Sequence, residues 1–332
     1  MNSIQKTLAL IPLCFLVAFG QHREAGSSAF SFLSINYDAR SVAMGGAASA
    51  IQNDLYGILS NPSAIGYAEN QQVMVGFRPV MLGVWGGPVA YLRPFDGYGN
   101  VALTVIGLTS GELDVINDHG VPTGNVARVD YMAGAVTWAM EVVEELAVGV
   151  TVKGVYNRIA TPGSYYSADG AAIDGGVQYR INNDRFTVGA AFRNLGFMRS
   201  GYAPDVQYPL PFVVEAGISY VPLNLLAVRL ALDINKARDD YITFEPGIEI
   251  SLSENVFLRG GYSMSGLDIS KQIDVFRGEK DPDYQKSNMS SLAIGAGIIT
   301  TIEDLELNID VALQFYRDVS RPAVLLSFIS LF

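Results

Sequence analysis

Along most of the chain, apolar residues recur at every second position. Leu305, Leu307, Ile309, Val311, Leu313 and Phe315 fall on one side of an extended segment, and Glu306, Asn308, Asp310, Ala312 and Gln314 on the other. The alternation repeats over Leu226–Ile234, with Ala227, Arg229, Ala231 and Asp233 on the second face. It repeats again over Ile242–Leu252, where Thr243, Glu245, Glu249 and Ser251 oppose the apolar set. Successive side chains of a strand point to opposite faces, so period two marks strands with one apolar and one polar side. Strands of soluble sandwiches are mostly ~5–6 residues. These run to about ten or twelve, the length a tilted strand needs to cross a bilayer. The pattern predicts strands near 70–79, 84–93, 99–116, 127–140, 146–159, 167–181, 185–197, 211–221, 225–236, 241–252, 255–265, 290–300, 304–316 and 321–332. About fourteen strands, an even number, predict an all-β fold: a transmembrane antiparallel β-barrel with an N-terminal plug or hatch ahead of it.

The connections sharpen this picture. Short ones fall at 182–184, 221–225, 253–255 and 301–304, and long ones near 117–126, 160–167, 198–210 and 265–290. Short periplasmic turns and long outer loops give this rhythm in outer-membrane barrels, and it places Phe332 on the periplasmic side. The last strand, with Val324, Leu326, Phe328 and the terminal Phe332 on one face, resembles the C-terminal sorting signal of such barrels, with Ser330 as the departure. Aromatics fall where interfacial belts are expected: Trp138, Tyr179 and Tyr220 near the periplasmic strand ends, Tyr156, Tyr262 and Tyr316 near the outer ends.

Composition agrees. The chain is 49% hydrophobic and only 17% charged, with a mean hydropathy of +0.24, whereas soluble domains carry about a quarter charged residues. A membrane helix needs ~20 consecutive apolar residues. The only candidate, Leu8–Phe19, is too short; it follows Lys6 and ends at Ala18-Phe19-Gly20, as a cleaved signal peptide over residues 1–20 does. The single cysteine, Cys14, lies inside it behind Leu13, a poor lipoprotein context, so the mature chain has no thiol and no disulfide. A net charge of −11, or −12 once Lys6 is removed, argues against nucleic acid as a partner, because phosphates call for a basic face. Outer-membrane lipid is the expected surrounding of residues 69–332.

Residues 21–68 do not alternate. Asp38–Ala47 is small and glycine-rich, Asn53-Asp54 is a helix-capping pair ahead of Leu55–Leu59, and Asn61-Pro62 ends that turn. A compact plug at the periplasmic mouth is the expectation, with Arg40, Met44, Gly45, Gly46, Asn61 and Pro62 as its candidate residues. The run Ala39-Arg40-Ser41-Val42-Ala43-Met44-Gly45-Gly46-Ala47, then Asn53-Asp54 and Asn61-Pro62-Ser63-Ala64-Ile65, resembles the N-terminal signature of the PorV/PorQ family, which is related to FadL-like transporters with an N-terminal hatch. Ser63-Ala64 replaces the usual Ala-Gly, and Asn53 the first acid. Ser110-Gly111-Glu112 and Arg193-Asn194-Leu195-Gly196 are weaker matches. The resemblance implies a 14-stranded outer-membrane barrel of a Gram-negative cell. It also implies a protein-binding shuttle or accessory of type IX secretion, whose partners are secretion-system proteins or the C-terminal domains of exported cargo. The alternative it implies is a FadL-like transporter of hydrophobic small molecules such as long-chain fatty acids.

Candidate chemistry is sparse. The two histidines, His22 and His119, sit beside the cleavage site and in an Asp118-His119-Gly120 turn, so no catalytic residue is expected. Soft metal ligands are missing, and Asp281-Pro282-Asp283 lacks the spacing of a calcium loop, so neither metal nor cofactor is expected. Arg229, Asp233, Glu245, Glu249, Glu306 and Asp310 are the expected lumen lining, either an internal salt-bridge network or a transport path. The stretch from Asp268 to Lys286 holds nine charges of both signs, and Lys271, Asp274, Arg277, Glu279 and Asp283 within it are the candidate partner surface.

Overall fold

The computed structural model describes residues 27–52, 55–80, 83–181, 185–203, 206–222, 227–240, 242–267, 290–303, 305–316, 319 and 321–332. The expected signal peptide, Asn53-Asp54 and the candidate partner loop with Lys271, Asp274, Arg277, Glu279 and Asp283 lie outside these residues.

Fifteen strands form one antiparallel sheet. They are β1 (Gln72–Pro79), β2 (Trp85–Phe95), β3 (Gly99–Thr109), β4 (Leu113–Ile116), β5 (Pro122–Val143), β6 (Leu146–Thr161), β7 (Ser164–Ile181) and β8 (Phe186–Ser200). Then follow β9 (Val213–Tyr220), β10 (Val228–Ala237), β11 (Ile242–Ser253), β12 (Val256–Leu267), β13 (Ser291–Ile302), β14 (Leu305–Tyr316) and β15 (Ala323–Leu331). Because β1 pairs with both β2 and β15, and β3 pairs with β5, the sheet closes into a ring of fourteen strands, with β4 as an extra strand on the outer part of β5. Closure leaves the ring no unpaired edge.

The alternation read from sequence sets the two faces. On β10, Leu230 is 42% exposed whereas Asp233 is 1% exposed, and on β14 Val311 and Phe315 face out while Asp310 and Ala312 are buried. Val324, Leu326 and Phe328 continue the outward apolar band across β15. Such a band is costly in water and favourable in hydrocarbon, so the wall is built to sit in a membrane.

Two expectations change. The expected long outer loops 117–126 and 160–167 are shortened: the first keeps only residues 117–121 between β4 and β5, which begins at Pro122, and in the second β6 and β7 are joined at Pro162-Gly163 alone. Expected strand 99–116 breaks at Ser110-Gly111, where Gly111 takes φ +65° and redirects the chain. Strands β5 to β8, at 22, 16, 18 and 15 residues, therefore outreach the others.

Residues 27–68 lie inside the ring. They form a 3₁₀ turn (Ser31–Ser34), helix α1 (Ala39–Ala43) and two further 3₁₀ turns (Leu55–Leu59 and Pro62–Ile65). Asp38 caps α1 by accepting from Ser41 N at 2.6 Å. Asn61-Pro62 was expected only to end a helical turn; here Asn61 also starts the next one, accepting from Ser63 N at 3.1 Å with Pro62 at the first helical position. The segment runs the length of the lumen rather than stopping at one mouth. Ala29 N donates to Pro209 O, in the long β8–β9 connection, and Tyr67 reaches the β5–β6 turn at the opposite, short-turn end.

Candidate functional site

The lumen is a concave, chemically mixed surface, and the N-terminal segment lies within it. Its backbone rests on a belt of inward glycines: Gly149 on β6, Gly176 on β7, Gly189 on β8, Gly217 on β9, Gly247 on β11 and Gly261 on β12, continued by Gly295 on β13. A Cβ on Gly149 would collide with Pro62, on Gly176 with the Asn61 side chain, on Gly189 with Ser49 O, and on Gly261 with the Met44–Gly45 peptide. Gly45 (φ +75°) and Gly46 (φ +107°) turn the segment in a region where a side chain is strained. Gly46 also lies against the Glu245 carboxylate, leaving no room for a Cβ.

Hydrogen bonds from every side fix this seating. Asp233 Oδ2 accepts from Ala48 N at 2.9 Å and Ser49 N at 2.7 Å. Gln178 Nε2 donates to Ser49 O at 2.8 Å and Ile51 O at 2.9 Å. Asn100 Nδ2 donates to Ile65 O and Ala68 O, Ser327 Oγ accepts from Ala39 N, and Gln72 Oε1 accepts from Leu55 N. A segment with so little regular structure leaves many backbone groups unpaired, and the wall's polar side chains satisfy them. At the short-turn end, the Tyr67 hydroxyl sits 2.7 Å from Glu145 O and 2.9 Å from Gln178 O, one of which takes its proton, and accepts from Ala147 N. The Arg180 guanidinium stacks on its ring at 3.8 Å. Burial pushes the Tyr67 phenol up to about 12, so it stays a donor at any growth pH.

Of the expected lumen residues, Arg229, Glu249 and Asp310 come together. Glu249 accepts from Arg40 Nε at 3.2 Å and Arg259 Nε at 2.7 Å, and Arg229 Nε lies 3.6 Å away. Arg259 also binds Asp310. Arg40, expected as a plug residue, thereby ties α1 to β11. Asp233 and Glu245 face the segment from neighbouring strands, whereas Glu306 stands apart, half-buried at the short-turn rim. Tyr316, expected in an aromatic belt, instead points inward: its hydroxyl accepts from Arg78 at 2.8 Å.

Above the belt, on the side of β3, β5, β6 and β7, contact loosens into a cavity of about 30 Å³. Leu33, Ile35, Tyr37, Ile58 and Leu59 face it from the segment; Thr104, Ile106, Ala133 and Ala135 face it from the wall. Its charged edge is a buried pair, Lys153 Nζ to Asp174 Oδ2 at 2.6 Å. Asn194 completes this edge: its N donates to Asp174 Oδ1 at 2.7 Å, and its Oδ1 accepts from Lys153 at 2.9 Å. Strict alternation forbids two consecutive inward side chains, yet both Arg193 and Asn194 are buried. A β-bulge allows it: Arg193 and Asn194 together oppose Asp174, with Asn194 at φ +61°. Arg193 NH1 then donates to Leu59 O, and NH2 pairs with Glu215 Oε2 at 2.9 Å.

Sequence reasoning passed over Lys153, Asp174, Glu215, Gln178 and the bulge. Arg193-Asn194 drew notice only as a family-like tetrapeptide. The readable signal was the break itself, two polar residues side by side inside an alternating strand.

This architecture is shared with solved structures. The crystal structure of the Pseudomonas putida toluene transporter TodX superposes with a TM-score of 0.62 at 14% identity, covering 89% of this chain and 96% of that one. The CymD monoaromatic hydrocarbon channel gives 0.60 at 14% identity, covering 89% and 97%. No protein-family model matches the chain, and no curated protein matches it in sequence.

Proposed function

We infer that the chain is a non-enzymatic channel of the bacterial outer membrane that passes hydrophobic small molecules, with residues 27–68 as the obstruction that yields to them. The observation that carries this reading is the apolar cavity between the segment and the long-stranded arc of the wall. Among the described residues it is the apolar one of two gaps beside the glycine belt; the other, of about 100 Å³, is charged, with Arg40, Arg259 and Asp310 in its lining. The fold supports the reading, being that of two proteins described as a toluene transporter and a monoaromatic hydrocarbon channel. At about 30 Å³ the cavity holds one or two water-sized bodies. A guest therefore enters as Leu33, Ile35 and Leu59 give way. The cleaved leader over residues 1–20 belongs to this reading as the route of export.

Uptake tests it. Gram-negative cells with an intact lipopolysaccharide leaflet should accumulate labelled toluene several-fold faster when they carry the protein than when they do not. Equal rates would overturn the channel reading. The PorV/PorQ-like reading, a type IX secretion accessory that binds cargo C-terminal domains, rests on the likeness of Ala39–Ala47 and Asn61–Ile65. Those residues have work within the barrel itself, since Arg40, Gly45, Gly46 and Asn61 all contact the wall. Cross-linking of Lys271 or Asp283 to an exported protein, with uptake unchanged, would restore that reading.

A further inference from the structure

The polar groups around the cavity are few, and nearly all are spoken for. Lys153 is paired with Asp174 and Asn194 at 2.6 and 2.9 Å. Thr137 and Thr151 satisfy one another, Oγ1 to Oγ1 at 2.7 Å. The Tyr37 hydroxyl donates to Phe32 O at 2.7 Å, and burial raises its phenol above the ordinary value, so that proton is kept. One group differs. Thr104 Oγ1, on the inward face of β3, lines the cavity and is buried without a partner.

An unpaired buried hydroxyl is a cost that a guest bearing a hydrogen-bonding group removes. A guest carrying a charge meets the opposite situation. The only cation among the described residues that line the cavity, Lys153, is already neutralised by a carboxylate, so an incoming anion adds a third charge to a dry site and meets no free counter-ion there. The rest of the lining, Leu33, Ile35, Ile58, Leu59, Ile106 and Ala133, offers only apolar contact.

From this geometry we propose that the cavity selects uncharged, mainly apolar guests with a single hydroxyl, aromatic alcohols being the type, and that Thr104 is the specificity-determining residue that binds the hydroxyl. The proposal rests on the channel reading and narrows it: carboxylate amphiphiles are excluded, and plain hydrocarbons are second-best. Sites that hydrogen-bond a substrate hydroxyl discriminate against analogues lacking it, because the site's own group is then left unpaired.

The test is a ligand-observed NMR titration of the full chain in amphipol, with amphipol alone as the blank and toluene, benzyl alcohol and benzoate as probes. Thr104→Val keeps the shape and the strand preference of the side chain and removes only the hydroxyl; its folding is checked by the heat-dependent shift on a gel. Wild type should bind benzyl alcohol in preference to toluene, and T104V should reduce that preference about fivefold to tenfold, the worth of one net hydrogen bond. Benzoate should not bind detectably to either form. An unchanged benzyl alcohol-to-toluene ratio in T104V overturns the role of Thr104 while leaving the channel reading standing. Benzoate binding as tight as benzyl alcohol overturns the exclusion of charge. Binding of none of the three removes the guest site, and the channel reading falls with the proposal.

Discussion

Glycine is used in opposite ways in two parts of the wall. Along the belt, Gly149, Gly176, Gly189, Gly217, Gly247 and Gly261 point inward, and the N-terminal segment lies against them with no space for a single Cβ. Beside the cavity, Gly107, Gly134 and Gly154 point outward, and a Cβ on any of them would meet nothing within 4 Å. At the belt the missing side chain brings two backbones together and admits hydrogen bonds such as Asn61 Nδ2 to Val177 O. At the cavity it thins the wall from the membrane side. There, inward Ala133, Ala135 and Thr104 are too small to fill the space that the segment leaves. One region is fixed by backbone fit and charge, the other held by loose apolar contact. On the channel reading proposed above, opening would start at the second.

The contrast can be broken most severely at Arg193, which clamps the segment through Leu59 O and neutralises Glu215. Arg193→Ala leaves a buried carboxylate unpaired and should cost about 3–5 kcal/mol. Urea titration of the refolded barrel measures it, and a loss below about 1 kcal/mol would remove the clamp from the account. Next comes Gly261→Ala, whose Cβ strikes the Met44–Gly45 peptide. Overpacking of this kind costs about 1–3 kcal/mol, and limited proteolysis should cut within residues 27–68 sooner than in wild type. A belt tolerant of alanine would show the same cleavage rate. The smallest effect belongs to the outward Gly134→Ala, expected within about 0.5 kcal/mol of wild type. A larger loss there would mean that the outer face beside the cavity is as constrained as the belt.

Much of this was legible in the sequence. Period-two patterning identified every ring strand and the lipid-facing side of β10, β11 and β14, because one residue in two answers to the membrane. It failed where turn chemistry outweighs length. Pro162-Gly163 is a sufficient turn by itself, so residues around it extend β6 and β7 instead of looping. Tyr316 misled because aromatic character suggests an interface, whereas its even register with Gln314 sends it inward to Arg78. The site was harder. Alternation tells which face a glycine occupies but not the height at which the segment crosses it, so the belt cannot be told from ordinary strand glycines. Arg229, Glu249 and Asp310 were identifiable as inward charges. Their partner Arg259 is close in sequence, 10 residues from Glu249 and 51 from Asp310. Arg40 is 209 residues from Glu249, and only the ring closed around the segment brings the two together.

The segment in the lumen also dictates an order of assembly. It is synthesised before every strand, yet Ala39 N is bonded to Ser327 Oγ, 288 residues later on the final strand. That strand also pairs with β1 to shut the cylinder. Some forty residues lying flush against glycine backbone cannot be threaded into a cylinder already sealed. The sheet is therefore expected to wind around the segment as around a mandrel, with the β1–β15 seam forming last. Pairing over such sequence distance is slow, and a chain shortened to begin at Gln72 would lose the form on which its wall is shaped.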